Sequence, residues 1–238
     1  MKRYWYIKTE IGPRAGWEGG LPPAITKEQW PRHRISGLPL MHGFTVKVPE
    51  EYRTRGKERI AFSYFHPGDS ESFRCEMDMI ERVGAVLESG RLGDGEKGHP
   101  FWEALKTHGR SKHAAMVNYM DILDHDHVIV WHTEEELNAP RCERPETKLP
   151  RGIDGRAMHL DEPVLEEIPL FLTDKEPQRR LIQLGWPLHP VQDTLEDLKD
   201  MGFGDLSLEI ETEVGGANYG EGNCQVDLAG TLLDWACI

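Results

Sequence analysis

The chain has 238 residues, 38% hydrophobic and 29% charged, and its 41 Asp and Glu against 28 Lys and Arg give a formal net charge of −13. That length can bury a substantial core, and seven Trp, seven Phe and six Tyr exclude a disordered chain. No apolar run approaches the roughly 20 residues that span a bilayer, and the acidity disfavours nucleic acid and anionic lipid as partners.

The first strand expected is Trp5 to Lys8. The second is Met41 to Val48, where His42, Phe44, Val46 and Val48 share one parity. The third is Arg59 to Phe65, with Ile60, Phe62 and Tyr64 on one face and Ala61 and Phe65 on the other. Residues 70 to 89 change period: Phe73, Met77, Ile80, Gly84 and Leu87 fall on one helical face. A second helix is expected from Pro100 through Leu105, with proline at its first position. A third is expected from Ser111 to Leu123, through Ala114, Ala115, Val117, Met120 and Ile122.

Strand character returns at His127 to His132. Asn138 to Gly155 reads as a loop rich in proline and charge, and Val164 to Leu172 as extended chain interrupted by Pro169. Leu195 to Met201 reads as one or two helical turns. Asp205 to Glu213 alternates Leu206, Leu208 and Ile210 against Ser207, Glu209 and Glu211, which predicts a half-buried strand with an acidic outer face. Asn223 to Leu228 and Thr231 to Ile238 complete the series. The class expected is α+β, mainly antiparallel. One domain over 1–238 is expected, with β-rich stretches at 1–68 and 125–238 flanking a helical segment at 70–124. The basic, aromatic start Met1 to Lys8 has no apolar signal core, so a cytoplasmic chain is expected.

Three blocks occur in a telling order. The first is Gly19-Gly20-Leu21-Pro22, Trp30-Pro31 and Gly37-Leu38-Pro39-Leu40, leading into a strand. The second is Leu184-Gly185-Trp186-Pro187 with Gln192, leading to Leu206 to Ile210. The third is Tyr219-Gly220-Glu221-Gly222-Asn223 before another strand. In this order they resemble the YwqG-like family of bacterial proteins, over residues 17 to 65 and 182 to 228. Met41-His42-Gly43-Phe44 stands where family members commonly carry a Gln-containing strand. The resemblance implies a binding or immunity protein, some members being associated with toxin systems, and it brings no catalytic residues with it.

Among groups that carry chemistry, Asp121, Asp124, His125, Asp126, His127 and His132 are the densest. On a strand His125 and His127 point to one side, so both imidazoles can reach one metal ion, with Asp124 or Asp126 as a ligand or orienting a ring; the competing reading is a wet polar turn. No G-x-S-x-G or H-E-x-x-H is present. Cys75, Cys142, Cys224 and Cys237 form no C-x-x-C pair, so reduced thiols are expected and structural zinc is not. Cys224 reads as a buried small residue, and Trp17, Trp30 and Trp186 beside Gly and Pro read as anchors that pin loops. No cofactor is expected. The acidic face of Glu209, Glu211 and Glu213, with Trp186 and Tyr219, is the expected contact for a basic protein partner, a cognate toxin whose active cleft this chain would block. The alternative expected is a metal-dependent hydrolase at His125, His127 and an Asp.

Overall fold

A computed structural model describes residues 1–68, 73–75, 77–121, 123, 125–146, 153–155 and 164–236. The strands are β1 (Tyr4–Ile7), β2 (Arg14–Glu18), β3 (Met41–Lys47), β4 (Ala61–His66), β5 (Phe73–Cys75), β6 (Met116–Met120), β7 (Asp126–His132), β8 (Ile153–Gly155), β9 (Ile168–Thr173), β10 (Ile182–Leu184), β11 (Ser207–Glu211), β12 (Asn223–Asp227) and β13 (Leu233–Ala236). The helices are α1 (Met77–Ser89), α2 (Pro100–Arg110), α3 (Glu134–Leu137) and α4 (Leu195–Met201).

Eleven strands form one sheet in the order β13-β12-β11-β10-β1-β9-β2-β3-β4-β7-β6, and β5 pairs with β8 apart from it. Every pairing is antiparallel. The α+β, mainly antiparallel expectation therefore holds. The two β-rich stretches do not make separate sheets, because β1 lies between β10 and β9.

The sheet curls towards a barrel. Its inner face carries a single cluster in which Phe44, Phe62, Tyr64, Ile129 and Trp131 share a core with Leu208, Ile210, Val226 and Leu233. Tyr119 of β6 and Leu233 of β13, from the two edge strands, belong to that cluster. The outer face is covered as well. Ile25, Trp30 and Leu40 pack on Phe65, Val128 and Val130, and Leu137 of α3 packs on Trp17 and Ala61. Trp30 Nε1 donates to the Leu40 carbonyl at 2.8 Å and Trp17 Nε1 to that of Leu21 at 3.3 Å, so both rings pin the Gly-Pro segment between β2 and β3.

Helices α1 and α2 bury Val83, Val86 and Leu87 against Phe101, Trp102 and Leu105. Pro100 opens α2 after the His99 cap, as its place in the sequence requires. The helix expected from residue 70 begins instead at Met77, behind β5. The helix expected over Ser111 to Leu123 is replaced by β6. Its residues fit both periods, and antiparallel pairing from Met116↔Val130 to Met120↔Asp126 decides for strand. The expected loop over 138–155 contains β8 at its end. Strands β2 and β10 and helix α3 had no counterpart in the sequence reading; α3 is closed by a capping box from Thr133 to Glu136.

Gly215 has a positive φ of 63°, and a Cβ there would lie 2.1 Å from the Gly43 carbonyl oxygen on β3. Gly215→Ala is expected to cost roughly 2 kcal/mol or more in urea unfolding, because backbone and not a movable side chain blocks the methyl. A loss below about 0.5 kcal/mol would contradict this packing.

Candidate functional site

Where the two ends of the curled sheet meet, polar side chains from distant segments form one hydrogen-bonded file. Asp121 follows β6, and its Oδ1 accepts from the backbone N–H groups of Leu123 at 2.9 Å and His125 at 2.8 Å. Its Oδ2 accepts from Trp235 Nε1 of β13 at 2.9 Å. Two imidazoles approach the same oxygen: His127 Nε2 at 3.4 Å and His125 Nδ1 at 3.5 Å. Beyond His127, Nδ1 lies 2.6 Å from the Tyr64 hydroxyl, which lies 2.7 Å from that of Tyr219.

Chemistry fixes the direction of each bond. An ionised carboxylate only accepts, so His127 carries its proton on Nε2. Its Nδ1 then accepts from Tyr64, and the Tyr64 oxygen accepts from Tyr219. The Cys224 thiol sits against both hydroxyls. Burial works to raise the Asp121 pKa, but bonds from His125, His127 and Trp235 outweigh it and hold the carboxyl well below the ordinary range. Burial lowers the pKa of His127 despite the Asp121 partner, so its ring stays neutral. Burial also pushes the Tyr64, Tyr219 and Cys224 pKa values up.

Beside this file, Asp126 faces the other way. Its Oδ2 accepts from the Arg34 backbone at 2.5 Å, and burial raises it to about 6 against the pull of Arg34. The His33 and His125 rings approach to 5.9 Å between centroids. His125 is the partly exposed member of the file; its side chain keeps 22% exposure against 2% for His127.

The two histidines expected to share a side do converge. The group they meet is the Asp121 carboxylate. Asp124 lies outside the described residues. His132 has the opposite parity to His127 and joins a second file on the outer face. There His42 Nε2 lies 2.9 Å from Thr45 Oγ1, Thr45 lies 2.7 Å from Ser63 Oγ, and Ser63 lies 2.8 Å from His132 Nε2. Ser63 and His132 are fully buried, His132 Nδ1 has no carboxylate on it, and burial lowers His132 to about 3. A closed Ser–His pair of this kind does not make a nucleophile. Among the described residues, no three His, Cys, Asp or Glu side chains are grouped to hold a metal.

The expected acidic face needs correction. The alternation of β11 is right, but its second face is not solvated. Glu209 is 1% exposed, and its Oε2 accepts from the His189 backbone at 2.5 Å under the segment that follows β10. Burial raises its pKa. Glu211 is half-buried and lies 3.8 Å from Arg180, while Glu213 is exposed at a turn with a positive φ. Tyr219 is a core residue of the file described above. Of the expected contact residues only Trp186 keeps a partly open ring next to a charged element; Lys199 of α4 sits 5.5 Å from its centre. The reading of Cys224 as buried holds.

Sequence reasoning missed Tyr64 and Trp235 as members of the Asp121 file. The parity of Tyr64 was legible, but its pairing beside β7 was not. Comparison of the chain with family models, with curated proteins and with solved structures gave no match. No helix among the described residues is long and apolar enough to cross a membrane.

Tyr64→Phe removes the hydroxyl between His127 and Tyr219 and leaves two buried polar atoms short of a partner. A loss of about 1–3 kcal/mol in denaturant unfolding is expected. Asp121 has a lowered pKa in the folded chain, so its contribution is complete above the unfolded value near ~4 and fades as pH falls below it. Asp121→Asn is therefore expected to lose most stability at neutral pH and to converge on the wild type in acid. A stability difference that grows on acidification would contradict the file.

Proposed function

We propose that this chain acts by binding and neutralising a basic protein partner, as an immunity protein covers the active cleft of a co-encoded toxin. The reading rests on the surface of α4. There Glu196, Asp197 and Asp200 are exposed beside the exposed apolar side chains of Leu195 and Met201, and Lys199 is the only cation of the helix. Apolar anchors inside a charged rim are what a specific interface needs, and a net charge of −13 steers a cationic partner to it. Trp186 continues this surface, packing with Leu188, Leu198 and Phe203.

Two further points support binding over chemistry. Apart from His125, which keeps 22% exposure, the nucleophilic and acid–base side chains of both polar files are enclosed and serve as scaffold. The motif order resembling the YwqG-like family points the same way.

Glu196→Lys with Asp200→Lys reverses the face without touching the Thr194–Asp197 capping box. Tagged wild type is expected to retain a basic protein from lysate of its source at low salt and to lose it as salt rises. The double variant is expected not to retain it. Co-expression of that partner is expected to be tolerated with the wild type and harmful with the variant. Equal retention and equal protection by both proteins would remove α4 from the interface.

The hydrolase reading draws on one observation, the convergence of His125 and His127 on a single carboxylate oxygen. Zinc or manganese raising the melting temperature of the wild type, but not of His125→Ala, would favour it. No response in the wild type would dismiss it.

A further inference from the structure

A cavity of about 520 Å³ lies between α2 and the segment that joins β2 to β3. Lys27, Glu28 and Arg32 line it from that segment, Glu103 and Ala104 line it from α2, and Glu146 closes a further side. The two main walls are tied to each other, because His108 Nδ1 of α2 donates to the Glu28 carbonyl at 3.2 Å. Small-molecule sites fall in this range of size, roughly 300–1,000 Å³.

The charges around this cavity are not matched within the protein. Arg32 is 7% exposed, so its guanidinium is taken out of bulk water. Its Nη1 donates to the Gly37 carbonyl at 2.8 Å, and its Nε has no hydrogen-bond partner. No carboxylate pairs with it among the described residues. Its neighbour His108 offers no counter-charge, since burial and the Arg32 charge hold that ring neutral with a pKa of about 4. A buried cation without an anion is strongly unfavourable, and folded proteins normally answer it with a carboxylate or another anion. The remaining charges fall into two groups. Glu103 is taken by Lys106 at 2.5 Å, and Lys27 by Glu143 at 3.3 Å. Glu28 and Glu146 are exposed and have no basic side chain on them among the described residues. One enclosed positive group and two exposed negative ones are thus left over on the same cavity.

We propose that this cavity binds a free α-amino acid, with its carboxylate on the Arg32 guanidinium and its ammonium towards Glu28 and Glu146. A guanidinium is planar and its forked donors match the two oxygens of a carboxylate. Enclosure of Arg32 strengthens that pairing, because the local dielectric is low. The same enclosure makes the ligand carboxylate the missing counter-ion. The glutamates discriminate against phosphate, whose second negative charge would meet two carboxylates while Lys27 is already engaged. A zwitterion satisfies both signs at once. Ala104 presents only a methyl group on the α2 wall, which leaves room for the side chain of the ligand. The site lies on other elements than α4 and rests on neither reading of function given above.

The test is thermal unfolding of the full chain at pH 7.5 with each of the common L-amino acids in turn, followed by calorimetric titration of those that respond. With at least one of them the wild type is expected to gain about 5 °C at a hundredfold excess over the dissociation constant. The carboxamide of that amino acid, which keeps the ammonium and lacks the carboxylate, is expected to give no gain, and neither is inorganic phosphate. Arg32→Lys keeps the charge and loses the fork, and is expected to bind about tenfold more weakly or worse. Ala104→Phe fills the cavity from a half-buried helix position without touching Arg32, and is expected to abolish the gain, so the test stands even where Arg32→Lys fails to fold. Glu28→Gln with Glu146→Gln, both at exposed positions, is expected to weaken the amino acid and to spare a plain carboxylate such as propionate. No response of the wild type to any amino acid would overturn the proposal. Equal gains from the amino acid and its carboxamide, or an undiminished gain in Ala104→Phe, would overturn it as well. A gain from phosphate alone would replace it with a simple anion site.

Discussion

The Asp121 carboxylate holds the curled sheet together at the point where no backbone ladder does. β6 and β13 are the two edges of the eleven-stranded order, and the bond from Trp235 to Asp121 joins them through side chains. Taking an ion out of water costs several kcal/mol. The three N–H groups that reach this carboxylate at 2.8 to 2.9 Å each return about 1.5–3 kcal/mol as charge-assisted bonds. The two effects are of one size, so the buried charge is tolerated only with all its donors in place. That condition fixes the turn after β6, the rotamer of Trp235 and the tautomer of His127 together.

Much of the strand pattern was legible because it is local. β3, β4 and β11 show their parity in the residues themselves, and the inner core uses Phe44, Phe62, Leu208 and Ile210 as that parity requires. The failures arise where a distant segment decides. Val117 and Met120 suit a helix as well as a strand until β7 pairs with them. Glu209 sits on the face predicted for it, but nothing local announces that Leu188, Leu198 and Phe203 will lie above that face. The convergence of His125 and His127 could be read from spacing. Their partner Asp121 was near in sequence, whereas Tyr64 and Tyr219 arrive from other strands and turns. The three family-like blocks mark turns and anchors, so they speak to the shape of the loops more than to a reaction.

Polar chemistry in this protein is divided between inside and outside. Apart from the partly exposed His125, the file from Asp121 to Tyr219 and the file from His42 to His132 are buried and directional, and burial keeps His42, His127 and His132 neutral. They specify which strands are neighbours. The surface of α4, by contrast, keeps exposed carboxylates and apolar side chains together. The segment between β10 and α4 is held to the sheet at Pro187 and His189 by the side chains of Gln183, Glu209 and Asn223, so these three residues set where that surface stands.

The position of β1 governs the order in which the molecule can be completed. Trp5 and its partner Gln183 are 178 positions apart in the chain, and β9 on the other side of β1 also comes late. During synthesis the first strand emerges with neither neighbour made, and its aromatic residues wait until most of the chain has followed. Contacts of such long sequence separation close slowly, and an unpaired apolar strand invites wrong pairings in the interval. In a chain built this way Tyr4 to Ile7 stay without a strand on either side until residues 168–184 have been made, so the middle of the sheet closes only after the strands from β2 to β7 are available.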